Sequence, residues 1–184
     1  MNAEIIVATT NQHKLAEIKK ILKRPVTGSH INVRETGKTF EENVIKKVKA
    51  IKLLPGQVAI ADDSGLMVNC LGGNPGVKSA RFANPPTVDN LCHKLLKVMD
   101  NCTSRGAKFV CVIAVALPNG KIRTFKGVCH GRIIREMRGQ HGFGYDPVFR
   151  PCGHEKTFAQ MSSPQKNRLS HRGKALKKLK KALK

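Results

Sequence analysis

Two adjacent carboxylates, Asp62 and Asp63, follow the apolar run Val58 to Ala61, and Ser64-Gly65 comes directly after them. Paired carboxylates repel each other and resist leaving water unless something positive is bound beside them. A divalent cation held by hard oxygen ligands answers both problems. A carboxylate so placed can also orient a water for attack on phosphorus. The competing reading is a turn capped by aspartates. Acids are scarce here, 12 Asp and Glu against 34 Lys and Arg, for a net charge of +22. Only five are aspartates, and three of those (Asp62, Asp63 and Asp146) fall in the segments singled out below.

Four further groups have chemistry-bearing composition. Thr9-Thr10-Asn11-x-x-Lys14 lies where an apolar run gives way to a helical pattern, so hydroxyls, backbone N–H groups and a helix dipole converge on it. It reads as a phosphate site or as a plain Asn cap, and it lacks the glycines of a P-loop. Glu35-Thr36-Gly37-Lys38-Thr39-Phe40-Glu41-Glu42-Asn43 combines acids with a capping box, Thr39 with Glu42. Gly142-Phe143-Gly144-Tyr145-Asp146-Pro147 joins aromatics to an acid in one tight loop. Phe143 can stack on a base and Asp146 can accept from ring donors, or the loop is a turn with core aromatics. Lys166 and Ser170-His171-Arg172-Gly173 begin a basic C-terminal stretch, with nine Lys or Arg and no acid from Pro164 to Lys184.

The elements that must position these residues follow from periodicity. Residues 4–10 read as a buried strand. A helix starts at Asn11, with Leu15, Ile18, Ile21 and Leu22 on one face, and ends at Pro25. A second helical pattern covers 39–54. Val58 to Asp62 and Leu66 to Cys70 read as two short strands. Thr87 to Met99 reads as an amphipathic helix. Phe109 to Leu117 is apolar throughout, as expected of a central strand. Asn119-Gly120 signals a hairpin returning over Lys121 to Val128. Ser163-Pro164 and Ser170 mark helix starts near the end. Helices alternate with strands, so the expected fold is α/β with a mixed central sheet and flanking helices, one domain over 1–184.

Composition narrows the class. No segment approaches the length of a membrane span, and the apolar run after Met1 is too short for a signal peptide, so a soluble cytoplasmic protein is expected. Six cysteines show no CxxC pairing, and free thiols are expected over a disulfide framework or a zinc site. The positive charge points to anionic partners. Its wide spread favours solvated lysine faces over specific nucleic-acid binding.

Together the five segments resemble the inosine triphosphate pyrophosphatase family, in family order from Thr9 to Leu179. The resemblance implies an elongated, two-lobed architecture with the nucleotide between the lobes. It implies a Mg²⁺-dependent pyrophosphohydrolase that converts ITP, dITP and XTP to the monophosphate and pyrophosphate. Asp63 is then the general base and a metal ligand, with Asp62 its supporting neighbour. Thr9, Thr10, Asn11 and Lys14 grip the triphosphate, and Ser64 and Arg81 contact phosphates. Phe143, Gly144, Tyr145 and Asp146 wall the base pocket. Lys166, His171 and Arg172 contact the nucleotide, the last two by donating to the oxygen at purine C6. The chain departs from the family pattern at three places: Lys78 where a Tyr is usual, Gln165 where a Glu is usual, and Arg34 where the usual metal-binding acid stands. Glu35 is therefore the expected second metal ligand. A homodimer is expected by analogy. Two rivals stand beside this reading: a septum-inhibition-type pyrophosphatase acting on pyrimidine or modified nucleotides, and a basic nucleic-acid-binding protein.

Overall fold

The apolar run Ile5 to Ala8 lies in the first strand, β1 (Glu4–Ala8), with Ile5 and Val7 fully in the core. The computed structural model describes residues 4–30 and 33–183. After β1 come α1 (Gln12–Leu22), β2 (Val26–Ser29), α2 (Phe40–Lys49), β3 (Gln57–Val68), α3 (Val88–Val98), β4 (Gly106–Ala116), β5 (Ile122–Ile133), β6 (Phe149–Pro151), α4 (Ser163–Leu169) and α5 (His171–Ala182). The strands form one mixed sheet in the order β2-β1-β3-β4-β5-β6. β1 is parallel to β2 and β3, and β5 is antiparallel to β6. The expected mixed-sheet α/β fold is what the chain adopts.

The chain divides into two compact units, neither a single stretch of sequence. One comprises Met1–Asp63, Cys111–Gly127 and Arg172–Lys184. Its core joins Ile5 and Val7 of β1, Leu15, Ile18 and Leu22 of α1, Val58 and Ile60 of β3, Cys111, Ile113 and Val115 of β4, and Ala175, Leu176 and Leu179 of α5. The other comprises Ser64–Val110 and Val128–His171. Its core is built around Leu66, Leu91, Leu95, Phe109, Phe149 and Phe158.

Several elements differ from the sequence reading. The two short strands expected on either side of Asp63 are one continuous strand, β3. The expectation of a strand end had a physical basis, since the pairing of β1 with β3 stops at Ala8 and Ala61. Asp62 is thus the first residue of β3 beyond that ladder. The second helix ends at Lys49 rather than 54, and residues 51–54 are irregular. Thr39 caps it, accepting from the Glu42 N–H at 3.1 Å, but Glu42 reaches back to the Lys38 N–H instead of closing a capping box. The return strand of the hairpin runs on to Ile133. β2 and β6 were not anticipated, being short and poorly patterned, with Thr, Gly and Pro among their residues. The expectation of free thiols fails at one pair, Cys70 and Cys102, which form a disulfide. Cys92, Cys111 and Cys129 are buried thiols and Cys152 an exposed one.

Candidate active site

Successive side chains on a strand point to opposite faces. This separates the two aspartates. Asp62 shares its side of β3 with Val58 and Ile60, which pack against α1 and α5. Asp63 points to the side covered by α2.

Asp62 is buried at 1% exposure. Its Oδ2 accepts from Nε and Nη2 of Arg172, at 3.3 and 3.1 Å, and pairs with Lys14 Nζ at 3.2 Å. The remaining terminal nitrogen of Arg172 donates to Glu17. Burial pushes the Asp62 pKa up, but Lys14, then Arg172 and Lys47, outweigh it and hold the carboxyl far below the usual range. Asp62 is a fixed anion.

Asp63 is held differently. Its Oδ2 accepts from Nδ2 of Asn43 at 3.0 Å, and Lys47 Nζ stands 4.0 Å from its Oδ1. Asn43 Oδ1 accepts from the Gly37 N–H at 2.7 Å, which leaves its amide nitrogen as the donor to Asp63. Burial raises the Asp63 pKa, and the opposing Lys47 and Asn43 do not cancel that rise. A carboxylate with a raised pKa, oriented by an amide and an ammonium, has the character of a general base.

Lys47 also pairs with Glu35 and donates to the carbonyl oxygen of Asp62 at 3.2 Å. Burial lowers its pKa, yet Asp62, Asp63 and Glu35 outweigh that and raise it. Neither Lys47 nor Asn43 was assigned a role from the sequence. The signal was present: they lie four apart in an anticipated helix, on one face beside the buried stripe Phe40, Val44 and Val48. Glu17 was missed in the same way, three residues after Lys14 in α1.

The turn at the start of α1 takes the form of an asparagine cap. Asn11 caps α1, accepting from the Lys14 N–H at 3.2 Å, and Thr9 Oγ1 accepts from the Asn11 N–H at 3.2 Å. Thr10 and Asn11 are exposed there. Lys14, one turn into α1, reaches Asp62, so the turn and the carboxylates belong to one cluster.

The donor set suits Mg²⁺ in a limited way. Glu35 and Asp63 flank one cation, the Lys47 ammonium, so the same two hard oxygen donors lie within reach of a shared ion. Among the described residues no group of three or more His, Cys, Asp or Glu could enclose a metal. The protein would therefore supply one or two carboxylates and leave the rest of the shell to water and phosphate, a usual arrangement for this ion. Arg34 is exposed.

The remaining expected residues lie in the second unit or at its edge. Asp146 is buried, and its Oδ2 accepts from the Phe143 N–H at 2.9 Å and from Lys166 Nζ at 2.6 Å. Lys166 Nζ in turn sits 4.7 Å from the centre of the Phe143 ring. Gly142, at φ +83°, is required twice over, because a Cβ there would stand 2.1 Å from Asp146 Oδ2. His171 stacks on Phe109 at 4.7 Å between centroids. Gly144 accepts a thiol contact from Cys92 at 3.5 Å. Arg81 ends the short helical turn Gly76–Arg81, and that turn is pinned at Ser79, whose Oγ accepts from the Leu66 N–H and donates to the Gly76 carbonyl. Ser64 is half-buried on β3 and Arg81 is exposed.

Two of these side chains are held by contacts within the protein. Tyr145 is a core residue whose hydroxyl donates to the Ser79 carbonyl at 2.9 Å. It braces the loop against the Gly76–Arg81 turn. Arg172 is the largest fully buried side chain, and its guanidinium is taken up by Asp62 and Glu17. It supports the Asp62 carboxylate.

A model of the Ham1 family matches residues 5–182. The dITP/XTP pyrophosphatase of Desulfotalea psychrophila is 45% identical over 185 residues, spanning 96% of this chain and 83% of its own. The protein of the same name from Synechocystis sp. is 44% identical over 181 residues, spanning 95% of this chain and 92% of its own. The solved Staphylococcus aureus Ham1 protein superposes with a TM-score of 0.87 at 40% identity, over 98% of this chain and 97% of that one. A HAM1 protein from Coxiella burnetii gives 0.88 at 38% identity, over 98% of both chains.

Proposed function

The chain belongs to the Ham1 family, and we propose that it hydrolyses the non-standard purine nucleoside triphosphates ITP, dITP and XTP to the monophosphate and pyrophosphate. The names of its relatives support the substrate class. The observation that carries the chemistry is Asp63, a buried carboxylate of raised pKa gripped by Asn43 and Lys47 next to a permanently ionised Asp62.

Asp63 takes a proton from a water whose oxygen attacks the α-phosphorus. The bond from that phosphorus to the α,β-bridging oxygen breaks, and pyrophosphate leaves with the bond's electron pair. Lys47 and Asn43 orient Asp63 and favour its ionised form. Thr9, Thr10, Asn11 and Lys14 bind the phosphates at the start of α1, with Ser64 and Arg81 as further phosphate contacts. Asp63 and Glu35 would hold Mg²⁺, which would supply charge neutralisation for the phosphates. Phe143, Lys166 and His171 recognise the base, with Gly144 and Asp146 shaping their loop. A donor aimed at a C6 oxygen faces another donor when the base carries an amino group at C6, as adenine does, and such a mismatch is a strong basis for rejecting ATP.

The enzyme is read as a cytoplasmic homodimer. No helix of the described residues is long and apolar enough to cross a membrane, and the cytoplasm is where nucleotide pools are policed. Its reducing conditions would favour the open form of the Cys70–Cys102 pair.

The test is pyrophosphate release from ITP, dITP and XTP against ATP, GTP and dUTP, for the wild type and Asp63→Asn. The reading requires preference for the first three and loss in the variant. Equal rates on all six would sink base selection, and an active Asp63→Asn would sink the assigned base.

A further inference from the structure

Helix α5 divides cleanly into two stripes. Arg172, Ala175, Leu176 and Leu179 are buried, whereas Lys174, Lys177, Lys178 and Lys181 are exposed. The exposed set has the spacing i, i+3, i+4, i+7, so it forms one continuous row about 10 Å long. Every member is lysine, and no acid follows Glu155 in the sequence. The catalytic cluster has no use for this row.

Strand β5 extends the row sideways. Lys178 Nζ donates to the Lys126 carbonyl at 2.8 Å, which lays β5 alongside α5. Phe125 packs against the same core as Leu176 and Leu179, so its ring lies on the α5 side of the sheet. Arg123, two residues away, points to that side too and holds its guanidinium 5.5 Å from the Phe125 ring centroid. Phe125 is only half-buried and Arg123 is exposed. A row of ammonium groups beside a flat aromatic–guanidinium pair combines backbone neutralisation with a stacking platform.

We infer that the lysine row of α5, with Arg123 and Phe125 of β5, binds single-stranded nucleic acid. The lysines meet successive phosphates, and the Arg123–Phe125 pair takes a base on its flat surface. A membrane surface is the poorer match, because the apolar residues of α5 are consumed by the core and leave no face to insert. The surface lies on other side chains than Asp63, Asn43 and Lys47, so oligonucleotide binding and pyrophosphate release succeed or fail independently.

Fluorescence anisotropy with a labelled 20-nucleotide single strand tests this over a salt series, with the fold checked by circular dichroism and thermal melting. The wild type should bind, with log affinity falling linearly in log salt. The variant Lys177→Gln/Lys178→Gln/Lys181→Gln should lose on the order of tenfold in affinity at low salt, and its salt slope should be shallower by about two. A control triple, Lys38→Gln/Lys49→Gln/Lys52→Gln, removes equal charge around α2 and should bind like the wild type. Phe125→Leu should weaken the single strand and leave a duplex of the same length unaffected. Equal losses in the two triples would mean diffuse charge and overturn the site. Tighter binding to vesicles containing anionic lipid than to the oligonucleotide would overturn the choice of partner.

Discussion

Asp62 and Asp63 are chain neighbours that point to opposite faces of β3 and are displaced in opposite directions from the ordinary carboxylate pKa. Asp62 meets two cations directly, Lys14 and Arg172, on the α1 and α5 side. Asp63 meets an amide and a more distant ammonium on the α2 side. Strand alternation thus resolves the repulsion that the sequence raises, and on the proposed function it gives one residue a structural duty and the other a chemical one.

Asp63→Asn should abolish catalysis without a cost in stability. Removing a general base lowers the rate on the order of 10²- to 10⁴-fold. The folded-state pKa of Asp63 lies above its unfolded value of 3.8. Its stabilising contribution is therefore complete below 3.8 and is lost as pH rises through the folded value, so at neutral pH the ionised group is a net burden. The amide variant sheds that burden and keeps an acceptor for Asn43. Urea unfolding at pH 7 should show a midpoint equal to or above that of the wild type, and a clear loss would contradict this.

Asp62→Asn should do the reverse. It strips the shared partner from a buried Arg172 and from Lys14, and breaking a buried pair costs about 3–5 kcal/mol. Because the folded pKa of Asp62 is depressed, its contribution is present above its unfolded value of 3.8 and disappears as pH falls toward the folded value. The stability gap between wild type and variant should be full at pH 7 and narrow below about pH 4, read by denaturant titration at each pH.

Lys47→Gln isolates the control of the base. Lys47 is the first of the groups that pull the Asp63 pKa down, so its removal should raise that pKa further. The acid limb of the kcat/KM profile should move to higher pH, with the rate recovering at alkaline pH. A uniform loss with an unmoved limb would assign Lys47 to the substrate alone.

Much of this site was legible because its pieces are short and local. The Thr39 and Asn11 caps, the α1 stripe and the hairpin at Asn119-Gly120 follow from neighbours within a turn. The roles of Arg172 and Tyr145 were not, since each depends on a contact across more than sixty residues, to Asp62 and Ser79. A buried guanidinium between two carboxylates looks, in sequence, like one more cation in a basic tail. The unity of β3 was hidden as well: Asp-Asp-Ser-Gly has turn composition, and its two charges are met in the strand by Lys14, Arg172, Asn43 and Lys47, which the sequence does not place there.

Gly37→Ala tests whether the orientation of Asp63 depends on crowding two steps away. A Cβ on Gly37 would stand 2.5 Å from Asn43 Oδ1 and 2.8 Å from Glu42 Cβ, so the side chains of α2 must shift. The Gly37 N–H that fixes the Asn43 amide moves with them, and Asp63 loses a well-placed donor. Overpacking of this kind costs about 1–3 kcal/mol, which a thermal melt should detect. The kcat/KM acid limb should also move to higher pH, because the Asn43 hydrogen bond is one of the groups lowering the Asp63 pKa. Asn43→Ala should reproduce the shift of the limb without the clash. If Gly37→Ala lowers stability and leaves the limb where it was, the Gly37–Asn43 contact serves the fold of α2 and has no part in setting the base.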